Sequence, residues 1–170
     1  MGSGDNGAMH KQQETTMDTI GRYLEVDHAH CDALFADARR AVRKGLWREA
    51  EQAFATFCHA LERHLLMEER IVFPAFENAI GAASAPTASM RSEHLRIRGM
   101  VQRLSNALRE RDTEAFLIHA GTLGIVLYQH SEREEGVLYP MIERVLAPHC
   151  HKLVAAMQAF GQMDQMASAA

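Results

Sequence analysis

Two stretches of the chain repeat one word 66 residues apart. His64-Leu-Leu-Met-Glu68-Glu69 is matched by His130-Ser-Glu-Arg-Glu134-Glu135. The same offset carries His28 onto His94, Asp27 onto Glu93, Phe73 onto Tyr139 and Pro74 onto Pro140. A His and a Glu four positions apart lie on one face of a helix, one turn from each other. Imidazole and carboxylate together offer neutral and anionic donors to a metal cation. The residues to be positioned are therefore His28, His64, Glu68, His94, His130 and Glu134.

The elements that would position them are read from apolar residues recurring at steps of three and four. The first block runs Ile20, Leu24, His28, Cys31, Phe35, Ala38, Val42 and stops at Gly45. The second runs Ala50, Phe54, Phe57, Leu61, His64, Glu68, Ile71, Ala75 and stops near Gly81. The third runs Met90, His94, Ile97, Val101, Leu104, Leu108, and the fourth Phe116, His119, Leu123, Val126, His130, Glu134, Val137, Met141, Val145. These steps predict helices with one buried stripe each, and no period-two block predicts a strand. The breaks agree: Lys44-Gly45, the small-residue stretch Gly81 to Ser89 around Pro86, and a cap at Asp112 or Thr113. Pro74 and Pro140 are expected to kink or end their helices.

The predicted fold is all-α, an up-down-up-down four-helix bundle with an approximate two-fold internal repeat and a short C-terminal helix. Residues 1–15 read as a flexible tail and 16–147 as the bundle. Residues 148–170 read as a C-terminal helix, from His149 to about Phe160, with a frayed end.

Counting from the turns places the four histidines at one height, with Glu68 and Glu134 one turn along on the same face. His28 and His64 are centred on residue 46, His94 and His130 on 112, and His64 and His94 on 79, each beside a predicted turn. In antiparallel hairpins equal counts mean equal height at about 1.5 Å per residue. Six ionisable groups in one buried layer would be ruinous unpaired, since each buried unpaired charge costs several kcal/mol against a domain stability of only about 5–15 kcal/mol. A pair of multivalent cations removes that cost. Imidazole plus carboxylate without thiolate suits iron, manganese or zinc over calcium, magnesium or copper(I). Four His and two Glu exceed the needs of one tetrahedral zinc. Divided by the two-fold they hold two metals, with Glu68 and Glu134 placed to bridge. This favours two iron ions, with dizinc and mixed pairs as alternatives.

Composition narrows the functional class. The 170 residues are 47% hydrophobic and 24% charged, with a formal charge of −4, a soluble globular balance without the basic face of a nucleic-acid binder. No apolar run approaches the roughly 18 residues needed to span a bilayer. Residues 1–13 lack a signal core, so a cytoplasmic protein is expected. Cys31, Cys58 and Cys150 are odd in number and form no Cys-x-x-Cys, so neither a disulfide framework nor a zinc ribbon is expected.

At these residues the chain resembles the hemerythrin-like (HHE cation-binding) family. The likeness rests on His28 within Asp27-His28-Ala29-His30-Cys31-Asp32, on both His-x-x-x-Glu words with their Phe73-Pro74 and Tyr139-Pro140 endings, and on Glu93-His94. It covers about residues 17–147. The resemblance implies an up-down bundle around a non-haem di-iron site, oxo- or hydroxo-bridged, with the same six ligands. It implies roles in binding or sensing oxygen or nitric oxide, or in handling iron, with O2 or NO as the small partner. The sequence specifies no protein partner. The oxygen carriers of that family have a further His four residues after the third-helix His, and Arg98 stands there. They also have an Asp five residues after the fourth-helix His, where Glu134 is only four after. These departures point to a near-symmetric site with two His per metal, and away from simple oxygen carriage.

The other candidates receive blander readings. His30 and His59 fall off the stripes and are expected at the surface, and His119 in the core or at a helix end. Cys31 is expected as a small buried hydrophobe, and Trp47 and the methionines as packing residues. Arg98 and its repeat partner Asp32 each fall four residues beyond a ligand His; one or both are expected to reach solvent, with a charged pair or support behind the ligands as the alternative. Glu25-Val26-Asp27-His28 has the Glu-x-x-His form of ferritin-like bundles but occurs once, and His149-Cys150-His151 is a weak tail site. Three functions remain open: a diatomic-binding di-iron module, a di-iron redox enzyme removing peroxide or nitric oxide or repairing iron centres, and a zinc-stapled structural bundle.

Overall fold

A computed structural model describes residues 19–81 and 85–168 of the chain. The segment read as a tail, 1–15, lies outside the described residues. Helix α1 spans Ile20–Arg43 and α2 spans Trp47–Met67. A π-helical turn, Glu68–Val72, carries α2 into α3, Phe73–Ile80. Helix α4 spans Ala85–Arg109 and α5 spans Thr113–Arg133. A second π turn, Glu134–Leu138, leads into α6, Tyr139–Leu146. A 3-10 turn then precedes α7, Cys150–Ser168. Among the described residues there is no strand, and no helix is long and apolar enough to cross a membrane. The α2–α3 and α5–α6 segments each run on as one helix through their π turn, so four helices form the bundle and α7 is appended. It runs eight residues past the expected end at Phe160.

Local chemistry sets the ends. The Thr19 hydroxyl accepts from the Arg22 N–H at 3.2 Å, and the Asp112 carboxylate accepts from the Ala115 N–H at 2.9 Å, each satisfying a donor at a helix start. Gly45 and Gly81 close α1 and α3 at φ 68° and 73°, the left-handed region where a Cβ is disfavoured. The break expected over 81–89 is shorter than that. Helix α4 begins at Ala85 with Pro86 in its first turn, where the missing N–H costs nothing.

Pro74 and Pro140 do not end their helices. A proline ring clashes with the carbonyl four residues back and leaves it without a donor. The π turns absorb this by adding one residue, so Phe73 N–H bonds to Glu68 O and Tyr139 N–H to Glu134 O, five residues back. The extra residue rotates everything beyond it, which corrects the predicted stripes. Val137, Met141 and Val145, expected inside, are 58%, 38% and 36% exposed, and Leu138, Tyr139, Ile142 and Leu146 are buried in their place. In the first hairpin Val72, Phe73 and Phe76 are buried while Ile71 and Ala75 are half-buried.

The apolar core forms two blocks. One is built on Phe35, Phe57, Ile97, Leu104, Phe116 and Leu123, with Trp47 packed against it as expected. The other comprises Ile20, Leu24, Phe73, Phe76, Ile142 and, from α7, Met157. Between them lies a polar layer.

Candidate metal centre

That layer contains all six residues singled out by spacing. Glu68, His94 and Glu134 have no exposure, His64 has 1%, His130 2% and His28 8%. His28 and His64, on neighbouring helices of the first hairpin, have ring centroids 4.4 Å apart, and His94 and His130 of the second are 5.0 Å apart. Each glutamate reaches from its own hairpin into the other. Glu68 Oε2 stands 3.3 Å from His94 Nε2 and 3.7 Å from His64 Nε2. Glu134 Oε2 stands 3.2 Å from both His28 Nε2 and His130 Nε2, and its Oε1 is 3.9 Å from His94 Nε2. Two overlapping donor groups result, one of Glu68, His94, His130 and Glu134, the other of His28, His64 and Glu134.

The outer nitrogen of every one of these histidines meets a carboxylate. His28 Nδ1 lies 2.8 Å from Glu135, His64 Nδ1 3.2 Å from Asp27, His94 Nδ1 2.8 Å from Glu69 and His130 Nδ1 3.2 Å from Glu93. A carboxylate oxygen accepts, so each Nδ1 takes the donor role and each Nε2 is left facing inward. Carboxylate-backed imidazoles of this kind are the usual support of a metal site. The four supports obey the repeat. Each is the sequence neighbour of one of the six residues yet holds a histidine on a different helix.

Inward, the bonding runs out. His64 Nε2, His94 Nε2, His130 Nε2, Glu68 Oε2 and Glu134 Oε1 are buried without a hydrogen-bond partner. Buried polar atoms are almost always satisfied, and five orphans facing one small volume are what a bound cation would satisfy. The residues therefore fit a metal, and six donors in two groups fit a pair.

Burial and neighbouring charge pull these groups in opposite directions. Burial lowers His28, but the hydrogen bond and charge of Glu134, with Glu135 and Glu68, outweigh it and raise the imidazole to about 9. His94 is raised in the same way, against burial, to about 10 by Glu134, Glu68 and Glu69. For His130 burial prevails and the value falls. Burial opposes ionisation of Glu134 as well, yet the surrounding histidines hold it below the usual carboxylate range.

One residue of the layer is missed by regular helical counting. Tyr139 is buried against His28, ring centroids 6.0 Å apart. Its hydroxyl stands 2.8 Å from Glu68 Oε1 and 3.1 Å from Glu134 Oε2; with one proton it donates to one of them at a time. Burial and the two carboxylates raise it well above the ordinary phenol value. Five residues beyond Glu134, it would point about 140° away on a regular helix, and the π turn brings it round. Its repeat partner Phe73 packs on His94 at 5.9 Å. Tyr139 in place of Phe73 is where the doubled word gains a hydroxyl, a signal present in the sequence.

Arg98 does not simply reach solvent. It donates to Glu62 at 2.8 Å and to Glu69 at 2.8 Å, fixing the carboxylate that backs His94, while Asp32 is exposed as expected. His30 and His59 are exposed and His119 half-buried. Cys31 is 5% exposed, and burial followed by the Asp27 charge pushes its thiol up to about 12, so it is an inert packing residue. Glu25 pairs with Arg22. Among the described residues His149-Cys150-His151 joins no cluster of metal-ligating side chains.

Residues 19–142 match the family model for the hemerythrin HHE cation binding domain, a span that contains all six residues of the layer. No curated protein and no solved structure matches the chain. With an all-α bundle, a buried His/Glu layer and a match over most of its length, the chain belongs to the hemerythrin HHE cation-binding family.

Proposed function

We propose that this chain is a non-haem di-iron protein that binds or senses oxygen or nitric oxide, or handles iron, at a buried centre of His28, His64, Glu68, His94, His130 and Glu134. The observation that carries this reading is the five orphaned donor atoms converging inside a ring of carboxylate-backed imidazoles. His28 and His64 would hold one ion and His94 and His130 the other, with the two glutamates spanning them. Bound iron would supply reversible redox chemistry and open positions for a small ligand. Around it, the outer carboxylates orient the imidazoles, Tyr139 offers one proton to the bridging pair, and the two apolar blocks exclude bulk water. Three cysteines with no disulfide among them suit a reducing compartment, and we place the protein in the cytoplasm.

The test is to load metal-free protein with iron(II) under anaerobic conditions, assay two ions per chain, and admit air while recording the ultraviolet–visible spectrum. A band that forms with oxygen and vanishes on its removal is the result expected of a reversible binder or sensor. Permanent conversion to a ferric spectrum would instead favour a redox enzyme or iron handling. Failure to bind iron while zinc binds and stabilises would leave the structural bundle.

Proton release provides a second check. His28 and His94, raised to about 9 and 10, are protonated at neutral pH in metal-free protein, and a metal must displace those protons. Binding at pH 7.5 is expected to release about two protons, measured by calorimetry in buffers of different ionisation enthalpy. Apparent affinity should rise with pH and level off above about 10. Without metal the sign is opposite. Because the folded values exceed the ordinary 6.5, their stabilisation is complete below that pH and is lost as pH rises through 9 to 10.

A further inference from the structure

The internal repeat keeps the geometry of the centre but not the charge of its two flanks: free carboxylates on one are matched by arginine–carboxylate pairs on the other. Between α1 and the continuous α5–α6 helix, a surface cavity of about 320 Å3 is lined by Glu25, His28, Asp32, Tyr128, Glu132 and Glu135. Arg22 also lines it but is engaged by Glu25 at 3.2 Å. The cavity reaches His28, the most exposed of the four inner histidines at 8%. Behind His28 lie His64 Nε2 and Glu134 Oε1, both buried and without a partner.

On the opposite flank the 66-residue offset replaces Glu25 by Arg91, Asp32 by Arg98 and Glu132 by Leu66. Arg91 donates to the Glu69 carbonyl at 3.1 Å and to Glu77 at 3.3 Å, and Arg98 clamps Glu62 and Glu69. The cavity on this side ends at Arg98 and touches none of the four inner histidines. His94 has no exposure, and Glu69 is 19% exposed against 35% for Glu135.

We infer that the α1–α5 mouth is the route by which a divalent cation enters the centre: Asp32 and Glu132 draw it in, Glu135 and His28 receive it, and the Arg98 flank is closed to cations. The inference rests on the reading of the centre as a metal site. A cleft of one sign with low-dielectric walls focuses its field and raises the on-rate of an oppositely charged ligand. At the equivalent place Arg91 and Arg98 tie up the carboxylates of Glu77, Glu62 and Glu69, so no such field draws the ion in. An uncharged diatomic gains nothing from either arrangement, so the charge asymmetry concerns loading of the metal.

The experiment follows uptake of Co2+ by metal-free protein, using its visible absorption in a stopped-flow instrument. The variant Asp32→Arg/Glu132→Leu copies the charge of the closed flank onto the mouth. Both residues are exposed, so the fold is retained, and Asp32→Asn gives a milder version. A control pair at the far end of the bundle, Glu110→Arg/Glu49→Leu, makes the same change in net charge. At low salt the mouth variant is expected to load on the order of tenfold more slowly than wild type. Its final stoichiometry should be unchanged and its dependence on salt weaker, while the control loads nearly as wild type does. Loading of the mouth variant at the rate of the control overturns the route and leaves the metal site standing. A wild-type protein that takes up no Co2+ overturns the metal site itself, and the route with it.

Discussion

Glu134→Ala is expected to lower bound metal from two ions per chain to one or none, measured by elemental analysis after loading with iron(II) and gel filtration. Glu134 contributes to both donor groups, and its two oxygens face His28, His130 and His94 at 3.2, 3.2 and 3.9 Å. Truncation removes the carboxylate proposed to bridge and leaves buried imidazoles facing one another without their anion. Breaking a buried ion pair by removing one partner costs about 3–5 kcal/mol, so the metal-free variant should also unfold at lower temperature. Glu134→Gln keeps the shape without the charge. It should lose metal in the same direction, and it separates ligand loss from loss of fold. Glu68→Ala should follow, because Glu68 Oε2 faces His64 and His94. His30→Ala and His59→Ala, at exposed positions, should retain two ions. Full occupancy in either glutamate variant would refute the bridging assignment.

The second large effect is on stability. Stripping metal with a strong chelator at neutral pH is expected to lower the thermal midpoint by about 10–20 °C. A ligand present at a hundred times its dissociation constant stabilises the native state by about 2.7 kcal/mol, so two sites give about 5. In a domain of this size 1 kcal/mol moves the midpoint by about 2–4 °C. The structural cause is the layer itself. Without cations, donors with no hydrogen-bond partner sit between two apolar blocks, and protons on His28 and His94 are only a partial substitute. Differential scanning calorimetry with and without chelator decides the point, and equal midpoints would contradict a stabilising pair of ions. Excess iron should restore the original midpoint.

How much of this was legible in the sequence depends on which periodicity held. The six residues of the layer could be found because up to Glu68 and Glu134 the helices are regular. Steps of three and four, the 66-residue offset and equal counts from the turns are then sufficient to place side chains at one height. Beyond those glutamates the same arithmetic fails. It puts Val137, Met141 and Val145 inside, whereas they are exposed, because each π turn adds a residue that the spacing does not show. The prolines at 74 and 140 marked the irregularity but not its form. A kink, an end and a π turn all answer a missing N–H.

The sequence by itself therefore determined the all-helical bundle, its doubled hairpin and the identity of the donors meeting in the core. These follow from local spacing along straight helices, where neighbours in space are separated by known counts. Only the tertiary structure decided which carboxylate backs which histidine. Asp27 sits beside His28 in sequence but holds His64, and Glu135 sits beside Glu134 but holds His28, pairings set by how the helices cross. It also brought the Tyr139 hydroxyl to both glutamates through the π turn. And it turned one substitution within the repeat, Asp32 against Arg98, into an open acidic flank and a closed, ion-paired one, because only packing decides what a charged side chain can reach.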